Sequence, residues 1–311
     1  MDFLRLLESV RTPALNAFFS AVTQLGDETV FMVLAIFMFW CVSKRQGYYI
    51  FMVGFAGTVM SQYLKLAYRV PRPWVQDPSF TIVESARAAA TGYSFPSGHT
   101  QNIVGTLSAI ALSNRQKWVR AVCVGFILLV PFSRMYLGVH TPLDVGVAFA
   151  LALVLAFGMY PAFRSEERFR KKTPVLLCLL ALLCLMYLLY ALLAPFPADI
   201  DADNLAEGLK NGYTLLGCML GLIVSYWFDT TRLHFDEKAP LMGQFCKLVL
   251  GLALLLGIRA GLKPLLAVAF HGSVAANLVR YFLMVVFAGC VWPMTFPYFA
   301  KLGARSGDDH E

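Results

Sequence analysis

The sequence predicts an all-α, polytopic integral membrane protein, a helix bundle of about nine transmembrane helices. Hydrophobic residues make up 58% of the 311 residues and charged residues only 14%, where soluble domains carry about a quarter charged. The mean hydropathy is +0.63. The apolar residues also come in runs of roughly 17 to 25, the length that crosses a hydrocarbon core about 30 Å thick.

The first 24 residues mix Asp2, Arg5, Glu8 and Arg11 among leucines, a pattern of an interfacial amphipathic helix rather than a cleavable signal. Apolar spans are then expected at 28–42, 47–66, 98–112, 118–138 and 140–160. Four more are expected at 174–194, 213–228, 244–261 and 277–299, beyond the charged stretch 164–172. The loop 70–96 is rich in Pro, Ser and Ala and carries Trp74, Phe80 and Tyr93, which suits a short lid or interfacial helix. Gly217-x3-Gly221 and Gly257-x3-Gly261 match the small-residue contact pattern of membrane helices, a match frequent enough by chance to imply no function.

The net charge of +7 sits in short stretches between spans, not on one basic face, so topology explains it better than nucleic-acid binding. Alternating the spans puts Lys44, Arg45, Arg115, Lys117, Arg120, Arg164, Arg168, Arg170, Lys171, Lys172, Arg232, Lys238, Lys301 and Arg305 on one side. That side is expected to be cytoplasmic. The acidic loop Asp199, Asp201, Asp203, Glu207, the loop 70–96 and the turn at His140 fall on the other. The seven cysteines lie in or beside apolar runs without a Cys-x-x-Cys pair, and read as packing residues. No Asn-x-Ser/Thr acceptor occurs.

Three clusters place ionisable groups at the ends of spans, where they are costly without a task. They are Lys65-x6-Arg72-Pro73, Pro96-Ser97-Gly98-His99, and Ser133-Arg134-x5-His140-x3-Asp144. His140 and Asp144 are four apart at a helix start, so the carboxylate can hold one imidazole nitrogen and leave the other free to attack. Ser97 and Gly98 precede a helix whose first NH groups can seat a phosphate. His99 is placed to protonate a leaving alkoxide. Lys65, Arg72 and Arg134 supply three fixed cations for a phosphate of roughly −1.5 to −2 charge. No acidic or His/Cys set with metal spacing lies nearby, which points to metal-independent chemistry without a cofactor. Glu84 and Arg87 read as a solvated pair, and His234, His271 and His310 as surface or loop residues.

These clusters, in this order and spacing, resemble the three-part signature of the type-2 phosphatidic acid phosphatase and vanadium haloperoxidase superfamily. The resemblance covers residues 65–144, extending to about 160 with the surrounding helices. It implies a superfamily catalytic core in the N-terminal half, with His140 as the phosphorylated nucleophile, Asp144 its partner and His99 the general acid. It also implies that Lys65, Arg72, Ser97, Gly98 and Arg134 bind the phosphate. The expected domains are a catalytic core with its N-terminal amphipathic helix at 1–170 and further transmembrane helices at 171–311. The extra spans are similar to the layout of sphingosine-phosphate phosphatases and glucose-6-phosphatases. An acid at Asp144 favours the lipid branch.

The expected function is hydrolysis of a lipid phosphomonoester (phosphatidate, sphingoid-base phosphate or polyprenyl phosphate) with membrane lipid as partner. An undecaprenyl-diphosphate phosphatase, a glucose-6-phosphatase-like sugar phosphatase and a lipid-binding or transport protein remain as alternatives. Vanadate-dependent halide oxidation is disfavoured by the spans. The expected location is a bacterial cell membrane, with the site on the extracytoplasmic side and the C-terminus in the cytoplasm.

Overall fold

The computed structural model describes residues 1–302; Arg305 and His310, assigned above to the cytoplasmic side and to the surface, lie outside the described residues. Among those described there is no strand, as expected of backbone that must satisfy its hydrogen bonds within lipid. Among the described residues, seven helices are long and apolar enough to cross a membrane, or eight if the pair Pro13–Gly26 and Glu28–Val42, bent by 50°, forms one span. This is fewer than the nine read from the sequence. The expected span at 98–112 is a helix of 16 residues, about 24 Å at 1.5 Å per residue, which falls short of a hydrocarbon core about 30 Å thick.

The chain divides into two compact units. The first comprises Met1–Ala35, Tyr49–Ser165 and Leu193–Gly208. Its N-terminus forms two helices, α1 (Asp2–Ser9) and α2 (Pro13–Thr23), instead of one interfacial helix. The break is local: Thr12 accepts a hydrogen bond from Leu15 N through its hydroxyl, and Pro13 takes the first helical position, where its missing NH costs nothing. Leu4 of α1 is fully buried against Phe80 and Ile82.

Behind α3 (Glu28–Phe37), the long helix α4 (Lys44–Tyr68) leads to the one-turn helix α5 (Pro73–Gln76) and an irregular loop. Helix α6 (Gly98–Ser113) packs along both α7 (Lys117–Tyr136) and α8 (Pro142–Phe163). Ala148, Ala152 and Ala156 recur every four residues on α8 and are fully buried, so small side chains let the neighbouring backbones approach. Tyr49 donates to the Ala156 carbonyl at 2.5 Å. Phe19 of α2 meets Tyr136 and Phe132 of α7 at ring separations of 4.4 and 5.5 Å.

The second unit comprises Ile36–Tyr48, Glu166–Leu192 and the chain from Leu209 on. It holds most of α9 (Glu166–Leu193) and of α10 (Ala202–Phe228), with α11 (Leu241–Ala269), α12 (Ala276–Val286) and α13 (Phe296–Ala300). Trp40 is buried beside Trp292 and Phe296 and donates to Ala288 O at 2.9 Å. Lys44 pairs with the buried Asp229 at 2.9 Å. The two glycine pairs part company here. A Cβ on Gly217 would stand 2.3 Å from Leu278 O, whereas Gly257 and Gly261 face open space. Exposed Leu179, Leu182, Met186, Leu189 and Leu193 line the outer face of α9, as suits contact with lipid.

Candidate active site

Helix ends assemble the site. Lys65 comes from the last turn of α4, Arg72 from the residue before α5, and Gly98 and His99 from the start of α6. Arg134 comes from the last turn of α7, and His140 from the turn before α8. These six line one cavity of about 310 Å³. Ser97 and Asp144 are buried outside that lining. The Ser97 hydroxyl accepts from Thr100 Oγ1 at 3.0 Å and its NH donates to Asp144 O, so it makes no side-chain cap on α6. A Cβ on Gly98 would meet nothing within 4 Å, which leaves the helix start open to a ligand.

The cations are fixed by loop carbonyls. Arg72 donates through Nε to Gly92 O at 3.0 Å, through Nη1 to Val139 O at 3.0 Å and through Nη2 to Thr91 O at 2.5 Å. Lys65 donates to Tyr93 O at 2.8 Å. The loop 70–96, for which a short lid or interfacial helix was expected, is helical in α5 and one 3₁₀ turn at Glu84–Ala86, and its last residues hold these cations. Arg134 is fully buried and donates through Nη1 to Thr23 Oγ1 at 2.8 Å. Its Nε and Nη2 have no partner among the described residues. Buried charged donors left unsatisfied are expensive, and an anion in the cavity would supply the missing acceptors.

His140 is held on both ring nitrogens. Arg72 Nη1 lies 3.0 Å from Nε2; a guanidinium has no acceptor lone pair, so Nε2 accepts and the ring proton sits on Nδ1. Nδ1 faces Asp144 Oδ2 at 3.6 Å and Ser94 Oγ at 3.4 Å. Ser94 in turn donates to Asp144 Oδ2 at 2.6 Å. The hydroxyl thus bridges imidazole and carboxylate, and Asp144 also accepts from Thr141 N at 2.7 Å in a capping box with Thr141.

Several lining or supporting residues were not singled out as site residues from the sequence. Ser94 and Thr23 are lone hydroxyls with no telling spacing, whereas Asp27, which lines the cavity, shows only as the cap of α3. Asn204 and Glu207 reach the cavity from the first turns of α10. Farther out, Arg5 of α1 pairs with Asp77 at 2.6 Å and Thr81 N donates to Glu8 at 2.8 Å, pinning the loop to the N-terminus. Hydrogen bonds from Ser79 and the charge of Arg5 hold the Asp77 carboxyl below its usual range. Glu84 and Arg87 form the exposed pair expected of them.

Residues 45–168 match the family described as the PAP2 superfamily, and residues 213–305 match the PAP2 superfamily phosphatase, transmembrane extension. Phosphatidylglycerophosphatase B of Bacillus subtilis is 30% identical over 176 residues, 52% of this chain and 82% of that protein. Undecaprenyl-diphosphatase BcrC of the same organism is 33% identical over 127 residues, 40% of this chain and 63% of that protein. A probable sphingosine-1-phosphate phosphatase of Dictyostelium discoideum is 26% identical over 257 residues, 76% of this chain and 58% of that protein. The chain therefore spans less than two thirds of the length of these last two relatives. Signature clusters gathered around one cavity, apolar helices and these matches together make the chain an integral membrane member of the PAP2 superfamily that carries the family's transmembrane extension.

Proposed function

We propose that the chain is a membrane phosphatase that hydrolyses a lipid phosphomonoester through a phosphohistidine on His140, without a metal ion. The convergence of Lys65, Arg72 and Arg134 with His99 and His140 on one cavity carries this reading. Arg134 Nε and Nη2 receive phosphate oxygens, and Arg72 transfers its Nη1 hydrogen bond from His140 Nε2 to the phosphate. The freed Nε2 lone pair attacks phosphorus as the ester P–O bond breaks, and His99 gives its proton to the departing alkoxide. Positive charge on the ring is offset through Nδ1 by Ser94 and Asp144. His99, now neutral, takes a proton from water, whose oxygen attacks phosphorus and releases inorganic phosphate and neutral His140. Lys65, Arg72 and Arg134 on the cavity wall supply the charge that a divalent metal would contribute.

The relatives are named as phosphatases of sphingosine 1-phosphate, phosphatidylglycerophosphate and undecaprenyl diphosphate, which supports a lipid substrate. A diphosphate substrate is the second reading, favoured by the 33% identity to undecaprenyl-diphosphatase BcrC. In the bilayer, the basic loops face the cytoplasm and the cavity opens to the extracytoplasmic leaflet of a bacterial cell membrane, with the C-terminus inside. The catalytic core comprises the expected stretch 1–170 joined by residues 193–208, which bring Asn204 and Glu207 to the cavity, with the remaining helices beyond 171 appended.

Phosphate release by purified enzyme tests the mechanism. His140→Ala is expected to abolish turnover, while His99→Ala still forms phosphoenzyme from a substrate with a good leaving group. Activity is expected to survive a metal chelator. An unimpaired His140→Ala enzyme, or loss under chelation restored by magnesium, would overturn it.

A further inference from the structure

We infer that Gln101 and Ser61 hold the water that cleaves the phosphohistidine, so that they serve the second half of the reaction and not the capture of substrate. This rests on the phosphatase reading above and names two further residues of the same site.

The polar wall begins on α4. Thr58, Ser61, Gln62 and Lys65 follow the i, i+3, i+4, i+7 spacing of one helix face, and all four line the cavity. Lys65 belongs to the phosphate seat. Ser61 lies one turn before it, about 6 Å along the axis at 1.5 Å per residue. Gly57 lies one turn before Ser61, and there α6 supplies Gln101. A Cβ on Gly57 would collide with Gln101 Nε2, so the glycine provides the notch in which the amide lies. Gln101 is itself one turn along α6 from Ser97, whose carbonyl accepts from Gln101 N at 3.0 Å. The cavity therefore runs from its cations to a neutral polar floor.

Gln101 and Ser61 are each 2% exposed. Neither amide atom of Gln101 nor the Ser61 hydroxyl has a hydrogen-bond partner among the described residues, although both side chains line the cavity. Buried polar groups in this state are costly unless something in the cavity pairs with them. The partner must both donate and accept, because the carboxamide offers hydrogens on Nε2 and lone pairs on Oε1, and the hydroxyl offers each once. Water meets that requirement, whereas an alkyl chain meets none of it and a phosphate finds the unpartnered donors of Arg134. At about 310 Å³ the cavity has room for a phosphate and for several waters at about 30 Å³ each.

Water on that floor shares a cavity with the phosphohistidine and needs no path past the lipid. Its oxygen bonds to phosphorus, the P–Nε2 bond breaks with its electron pair returning to His140, and His99 takes the water proton. Cleavage of the ester bond asks nothing of Gln101 or Ser61, so their loss falls on one step alone.

The test compares purified wild type, Gln101→Leu and Ser61→Ala on short-chain phosphatidate and p-nitrophenyl phosphate, with steady-state rates, quenched-flow detection of phosphoenzyme and thermal melting. Gln101→Leu is expected to lower kcat and KM together by about tenfold, the scale of one hydrogen bond, while phosphoenzyme accumulates. Its kcat/KM should stay within about twofold of wild type, because that ratio counts only the steps up to departure of the alcohol. Ser61→Ala is expected to act in the same direction to a smaller extent, and it alone decides where Gln101→Leu does not fold. A fall in kcat/KM without accumulated phosphoenzyme, or unchanged kinetics in both variants, overturns the inference and leaves the phosphatase reading standing. A wild type that forms no phosphoenzyme and releases no phosphate from either probe overturns both.

Discussion

Ser94→Ala isolates the bridge between His140 and Asp144. Ser94 and Asp144 are both essentially inaccessible, at 0% and 1% exposure, so no bulk water replaces the lost hydroxyl. The mutation removes one donor at 2.6 Å from a buried carboxylate and one acceptor 3.4 Å from the ring NH. A hydrogen bond to a charged group contributes about 1.5–3 kcal/mol, and about 1.4 kcal/mol is a factor of ten in rate. Because the ring carries positive charge only as phosphorus is attacked, the loss falls on the transition state, and kcat is expected to drop about 10- to 100-fold. KM should hardly change, since Ser94 is not among the residues lining the cavity. Phosphate release measured over a substrate series, with thermal melting as a fold control, checks this. A folded Ser94→Ala enzyme with kcat within about twofold of wild type, or with its loss confined to KM, would refute the bridge.

Other consequences are equally open to measurement. Arg134→Lys discards the two unpartnered guanidinium donors, so inorganic phosphate should inhibit about tenfold more weakly by competition kinetics, and an unchanged inhibition constant would remove Arg134 from the phosphate seat. Gly217→Ala drives a Cβ against the Leu278 carbonyl and should cost about 1–3 kcal/mol, whereas Gly257→Ala meets open space and gains up to about 1 kcal/mol in helix propensity. Melting midpoints in detergent should therefore move in opposite directions. Asp77 is held below its ordinary pKa in the folded chain, so its contribution is present above the unfolded value of about 3.9 and is lost as pH falls through the lower folded value. Amide exchange at residues 77–81 should rise on acidification below about pH 4. Asp77→Asn should exchange fast there at every pH, and a protected Asp77→Asn loop would show that Arg5 does not pin it.

The sequence discloses the helices and the three clusters because both signals are local. Runs of apolar residues mark spans, and Lys65, Arg72, His99, Arg134 and His140 stand out as charges or imidazoles at span ends. The expected count of about nine includes α6, which at 16 residues is shorter than any of the seven helices long enough to cross a membrane. The N-terminal break was legible in Thr12-Pro13, a cap followed by proline, but the alternating charges of residues 1–11 masked it. Ser94, Thr23, Asn204 and Glu207 were not legible as site residues. Their roles depend on chain closure across 50 residues for Ser94 to Asp144 and 111 for Thr23 to Arg134, and no spacing rule reaches that far. Ser97 accepts from Thr100 Oγ1, a partner three residues on, and keeps its own O–H to donate.

Asp144 Oδ2 serves two structures at once, closing the capping box of α8 through Thr141 N and orienting the site through Ser94. The first turn of α8 and the orientation of the His140 imidazole therefore share one carboxylate oxygen. Fraying of the first turn of α8 would take from His140 the carboxylate that Ser94 bridges to its ring, so helix start and imidazole orientation stand or fall together.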